Sequence, residues 1–187
     1  GDELRRRQLA YFVALAEEAE PELARGDQAT WFARLEDEHD NLREALAFAI
    51  ETRDAESALR LVAGIRRFWQ IHGYLAEGRE AIDAALALAD TPSELRAQAL
   101  NMAGILAGEQ GEFDAARVSF NAALDDARTV DSTRATSAAL VNLGNLAFFG
   151  GDLAAARELY KESIEHFEAL GDLRGQALAN ENVGLMA

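Results

Sequence analysis

Apolar residues return at every third or fourth position along the whole chain, and no convincing stretch alternates with period two. That spacing gathers the apolar positions into one stripe of a helix. It predicts nine helices, over residues 3–20, 28–51, 55–72, 75–89, 94–110, 113–129, 134–149, 153–169 and 174–186. The breaks have their own chemistry. Gly26-Asp27, Gly73, Gly111, Gly150-Gly151 and Gly171-Asp172 supply the positive φ that ends a helix. Asp27, Asp54, Ser93 and Asp152 are placed to cap the helix that follows. Connections this short fold consecutive helices back as antiparallel neighbours.

Part of the pattern is written twice. GEFDAARVSF, from Gly111 to Phe120, returns as GDLAAARELY, from Gly151 to Tyr160. Gly104, Gly144 and Gly184 are likewise spaced by 40. In each unit a first helix carries a small residue at its middle, Gly104 or Gly144. A second helix carries Ala116 or Ala156, with an aromatic residue one turn on. Small residues let helices approach closely, and the aromatic ring fills the gap that remains. One such pair cannot bury its apolar face alone, so pairs stack into an α-solenoid. The expected fold is therefore all-α: a right-handed α-α superhelix of about nine antiparallel helices. Its expected parts are an N-terminal helical segment (1–54), a degenerate helix pair (55–92), and two repeats plus a truncated third (93–187).

The repeated phrase resembles the tetratricopeptide repeat (TPR). Leu100, Ala103, Gly104, Gly111, Phe113, Ala116, Phe120 and Ala123 follow that pattern in one unit. Leu140, Leu143, Gly144, Gly151, Leu153, Ala156 and Tyr160 follow it in the next. Ala107 and Ala147 replace the usual Tyr, Ser163 replaces the last Ala, and the spacing exceeds the usual period of about 34 residues. Ile65, Trp69, Gly73, Leu75, Gly78, Ile82 and Ala85 keep the same order in degenerate form, so the resemblance covers about 59–187.

A second resemblance centres on Trp31-Phe32-Ala33-Arg34-Leu35-Glu36-Asp37-Glu38-His39-Asp40-Asn41-Leu42-Arg43-Glu44-Ala45-Leu46 and, with the flanking RRRQLAYFVALAEEAEPEL and LRLVAGIRRFWQIHGYLAEGREAIDAALALA and the later LGDLRGQALANENVG, spans nearly the whole chain. Such a stretch is similar to one in large bacterial transcription regulators, in which a signalling ATPase module of the STAND class precedes helical repeats. Those regulators often add a LuxR-type or SARP-type DNA-binding domain. The resemblance implies a cytoplasmic, non-catalytic sensor arm that binds a protein or peptide and regulates the switch. The alternative is a freestanding TPR adaptor or scaffold.

Composition narrows the choice. The chain has 187 residues, 49% of them hydrophobic, two prolines and no cysteine, so disulfides and thiolate metal sites are excluded. No apolar run approaches the length of about 18 residues that a membrane helix needs. No signal peptide is legible in GDELRRRQLA, and the initial Gly reads as a piece of a longer protein. The net charge of −15 repels a phosphate backbone, so this segment is not expected to contact nucleic acid.

Candidate chemistry is sparse. No Gly-x-x-x-x-Gly-Lys-[Ser/Thr] phosphate loop occurs, and Gly104, Gly108 and Gly111 belong to helix packing. Glu36, His39, Asp40 and Arg43 share a helix face, read either as a carboxylate–imidazole metal site or as a solvated face or helix contact. His72 and His166 lie near no matching nucleophile. Trp31, Phe32, Phe48, Phe68 and Trp69 fit core faces, although Trp31 or Trp69 could line a groove instead. No catalytic, cofactor or metal site is expected.

In TPR arrays the first helices line a concave face. Carried over, that gives Gln98, Asn101, Ile105 and Gly108, then Val141, Asn142, Asn145 and Phe148, then Leu178, Glu181 and Asn182. Asn side chains either pair with an extended peptide backbone or bond neighbouring helices. Lys and Arg are absent from these positions, so the carboxylate clamp that some such arrays use is missing. A non-acidic ligand, mixed polar–apolar or basic, is the expected partner. Leu178, Val183, Leu185 and Met186 on the truncated last helix are expected to self-associate, which light scattering at high concentration measures.

Overall fold

The computed structural model describes residues 1–24 and 27–185. Gly26 and Met186 therefore lie outside the described residues. The described chain holds ten helices: α1 (Asp2–Glu22), α2 (Gln28–Asp37), α3 (His39–Glu51), α4 (Ala55–His72), α5 (Leu75–Leu86), α6 (Glu94–Glu109), α7 (Phe113–Thr129), α8 (Thr133–Phe149), α9 (Leu153–Leu170) and α10 (Leu173–Gly184). They form two compact units, Gly1–Thr91 and Pro92–Ala187.

The tenth helix arises because the expected helix over 28–51 is broken at Glu38, which takes φ −98° and ψ 5°. Asn41 Nδ2 donates to the Glu38 carboxylate at 2.6 Å, a side-chain bond that spans the break. The other limits match the apolar pattern to within a few residues, because the caps act where the sequence places them. Asp54, Ser93 and Asp152 accept the backbone N–H three residues on at 3.0, 3.1 and 3.0 Å. Ser132 and Asp172 cap α8 and α10 in the same way, whereas Asp27 takes its N-cap position without a side-chain bond.

Gly73, Gly111, Gly151 and Gly171 end their helices at φ between 65° and 84°, but Gly150 has φ −77° and only its neighbour takes the left-handed turn. The turn from α7 to α8 has no glycine. Asp131 adopts φ 53° there, 40 residues before Gly171. Aspartate is one of the few residues besides glycine that tolerate this region.

In the first unit α1 lies against α4, with Leu9, Phe12, Val13, Ala16 and Ala19 buried. Gly64 of α4 meets the backbone of Ala16: a Cβ there would stand 2.5 Å from the Ala16 carbonyl carbon. In the second unit α6 pairs with α7, α8 with α9, and α10 packs on α9. Gly104 seats the ring of Phe120, and Gly144 seats that of Tyr160, with a built Cβ 2.5 and 2.6 Å from ring carbons. Ala116 and Ala156 are fully buried beside those rings. The packing code expected from the repeat is therefore the packing found. Gly175 of α10 meets the ring of Phe167 as well. Gly184, the third glycine of the register, has no such neighbour among the described residues.

Candidate functional site

The second unit brings most of the expected inward positions together through side-chain amides. Asn142 Nδ2 of α8 donates to Asn101 Oδ1 of α6 at 3.0 Å. Asn182 Nδ2 of α10 donates to Asn145 Oδ1 of α8 at 3.2 Å. The Tyr160 hydroxyl, from the second helix of the same repeat, donates to that oxygen at 2.6 Å. Burial pushes the Tyr160 phenol up from its ordinary value. The four asparagines are half-buried and lie along the first helices of three successive units.

Asn145 is thus a structural partner of Tyr160, and its removal would strand a buried hydroxyl. The repeat held a signal for this. The position equivalent to Asn145 is Ile105, and the ring equivalent to Tyr160 is Phe120. Both members of the pair change together, apolar with apolar and polar with polar.

The remaining expected positions divide. Val141 is 8% exposed, packed with Ala156 and Tyr160, and leaves little surface for a ligand. Phe148 is half-buried on the same cluster, and Ile105 lies half-buried against the core around Phe120. Gln98 is half-buried, Glu181 is exposed, and Leu178 is 52% exposed. Val183 tucks against the Tyr160 cluster, whereas Leu185 is 68% exposed.

Of the expected face, Glu36 on α2 and His39 and Arg43 on α3 make helix contacts, whereas Asp40 stays exposed and pairs within its own helix with Arg43 at 3.6 Å. His39 Nε2 stands 2.7 Å from Glu77 Oε1 of α5, an oxygen that also accepts the Trp69 indole N–H at 3.3 Å. The His39 ring lies 4.7 Å from that of Tyr74 and 5.1 Å from that of Phe68. Tyr74 donates to Glu36 at 2.9 Å, which raises the phenol above its ordinary value. His72 Nδ1 lies 3.8 Å from Glu36 and its ring packs edge-on to Phe32. These bonds pin the break between α2 and α3 to the turn between α4 and α5. Among the described residues no three His, Asp or Glu side chains gather to hold a metal. Trp69, Phe68 and Phe48 are core, and Trp31 is half-buried under the Arg34 guanidinium, 4.9 Å from the ring centre. His166 lies 4.0 Å from Glu162, one turn away. Sequence spacing alone did not suggest the pair between half-buried Arg96 and buried Asp126, 2.5 Å long, which ties α6 to α7.

Glycine-seated aromatic rings, side-chain caps on α4, α6, α8, α9 and α10 and a row of amides on the first helices define an all-α, TPR-like solenoid. Residues 95–169, which span α6 to α9, match the tetratricopeptide repeat family. No curated protein matches the chain. Among solved structures it is similar to BtubC (BKLC) from P. vanneervenii, with 15% identity and a TM-score of 0.62, over 97% of this chain and 90% of that one. A de novo designed helical repeat protein, DHR64, aligns over 100% of this chain and 92% of its own at 22% identity, with a TM-score of 0.26. The first likeness speaks for the fold alone, and the second is too weak to carry an argument. No helix among the described residues is long and apolar enough to cross a membrane.

Proposed function

We propose that this chain is the partner-sensing arm of a bacterial transcription regulator that also carries a STAND-type signalling ATPase. The arm itself catalyses nothing. It binds a protein or peptide on the first-helix face of α6, α8 and α10, and occupancy biases the switch to which it is joined. TPR repeats are modules that bind proteins, and the match over 95–169 supports that class of role. The observation that carries the site is the amide row. Asn101 with Asn142, and Asn145 with Asn182, place polar hydrogen-bonding groups at successive steps of one face. The resemblance around Trp31 to Leu46 supports the regulator context and, with it, a place in the cytoplasm.

The coding sequence on both sides of this segment tests the context. A Gly-x-x-x-x-Gly-Lys-[Ser/Thr] phosphate loop in the same reading frame is expected upstream, and ATP-dependent assembly of that whole protein is then the assay. A reading frame with further repeats and no phosphate loop overturns the regulator reading in favour of an adaptor.

A further inference from the structure

The first unit carries a cleft of its own, between α1 and α3, with a volume of about 330 Å³. Ligand sites run from about 300 to 1,000 Å³, so this one suits a small metabolite rather than a folded partner. Arg5, Gln8 and Phe12 line it from α1, spaced by three and then four residues. Asn41, Glu44 and Phe48 line it from α3 at the same spacing. Each trio therefore lies along one face of its helix. Phe12 and Phe48 are buried and form the floor, whereas the four polar side chains are exposed at the rim.

Two opposite charges stand at that rim. The Arg5 guanidinium lies over the Phe48 ring, 4.3 Å from its centre, and donates through Nη2 to Glu51 at 2.7 Å. The ring and the carboxylate hold its plane. Its Nε and Nη1 donors meet no protein acceptor among the described residues. The Glu44 carboxylate has no hydrogen bond or ion pair among the described residues, and neither has Gln8. Asn41 gives one N–H to Glu38 and keeps its carbonyl oxygen open. Phe48 follows Glu44 by one helical turn, so the guanidinium over that ring and the Glu44 carboxylate are offset by roughly 5–6 Å along α3.

That placement discriminates among ligands. A lone cation is drawn to Glu44 but repelled by Arg5, and a lone anion is drawn to Arg5 but repelled by Glu44. A zwitterion with its two charges a few ångströms apart meets an opposite charge at each end. The α-carboxylate and α-ammonium of a free amino acid sit on one carbon and have that separation. Arg5 and the Gln8 amide N–H groups complement the carboxylate, and Glu44 and the Asn41 carbonyl complement the ammonium. No further charged residue lines the cleft, so the side chain against Phe12 is uncharged. We infer that the cleft between α1 and α3 binds a free α-amino acid with a small, uncharged side chain.

Titration of the whole chain with L-valine, followed in amide NMR spectra, tests this. Saturable shifts of the Gln8 and Asn41 side-chain amides are expected, with a Kd of about 1 mM, as suits a ligand of so few heavy atoms. Valinol lacks the carboxylate and isovalerate lacks the ammonium. Each should bind at least about tenfold more weakly, as for one lost charge-assisted hydrogen bond. Glu44→Gln should weaken valine by about the same factor and leave the melting temperature unchanged, since Glu44 has no partner within the protein to lose. Valinol binding as tightly as valine would make this a site for amines, and isovalerate binding as tightly would make it a site for anions; either overturns the inference. So does the absence of saturable shifts below about 20 mM valine, or binding that Glu44→Gln leaves unchanged. None of these outcomes bears on the partner face of α6, α8 and α10, which belongs to the second unit.

Discussion

Both units of this protein hold helices close by placing a glycine where a side chain would collide, yet the partners differ in kind. In the second unit Gly104 and Gly144 face aromatic rings that lie 16 residues downstream, in the same repeat. In the first unit Gly64 faces the backbone of Ala16, on a helix that is distant in sequence. A ring is the end of a side chain and can swing. A carbonyl group inside a buried helix moves only if the helix moves. The comparison teaches that a local, repeated contact can be both legible and forgiving, whereas a solitary long-range contact is neither.

The largest expected effect follows from that difference. Gly64→Ala should cost about 3 kcal/mol, because the new methyl group must push α1 away from α4. Gly144→Ala should cost about 1–2 kcal/mol, since the Tyr160 ring can shift and alanine regains part of the loss through helix propensity. Urea unfolding of the two variants measures both. Equal costs would break the comparison, and a milder Gly64→Ala would reverse it.

A finer test stays inside the second unit, where the two repeats solve one seat in two ways. Ile105 accompanies Phe120, and Asn145 accompanies Tyr160. Asn145→Ile should cost about 1–3 kcal/mol by stranding the Tyr160 hydroxyl, which stands 2.6 Å from Asn145 Oδ1. Tyr160→Phe should cost about 1 kcal/mol. The double change rewrites the second repeat in the manner of the first and should fall well below the sum, because neither polar group is left alone. An additive result would mean that the hydrogen bond contributes nothing and that Asn145 is held by Asn182 instead.

The sequence made the second unit readable because repetition supplies its own check. Gly111 and Gly151 take the same left-handed turn, and Ala116 and Ala156 the same buried place. The asparagines were legible as a row, but their bonding was not, since an amide at a groove position satisfies a neighbour or a ligand equally well. The helix start at Thr133 was placed within one residue, yet the turn before it, with φ 53° at Asp131, was missed because aspartate stands where the next repeat has Gly171. In the first unit the repeat survives only in degenerate form, from Gly64 to Ala85, and the helices before it follow no repeat. The break at Glu38 and the contacts of His39 with Glu77, Tyr74 and Phe68 depend on helices brought together from distant segments. Spacing along one helix shows which residues share a face, but not what that face meets.

The smallest effect lies on the surface of the interface that Gly64 permits. The Arg60 guanidinium of α4 grips the Glu17 carboxylate of α1 with two bonds, of 2.6 and 2.8 Å. The hydrogen bond from Arg60 holds the Glu17 carboxyl below its ordinary value, and its slight burial opposes this only in part. A carboxyl whose folded value is depressed stabilises the fold above its unfolded pKa and loses that contribution as pH falls through the folded value. Both side chains are more than a third exposed, so solvent screens the pair and its contribution is expected to be only about 0.5 kcal/mol. Glu17→Gln should lower stability by that amount at neutral pH, with the difference from the parent chain vanishing as pH falls through the depressed folded value and shrinking in high salt. Urea midpoints at neutral and acid pH measure it. A difference that persists at low pH would mean that Glu17 acts by packing against α4, and the long-range contact of the first unit would then rest on more than the meeting of Gly64 with Ala16.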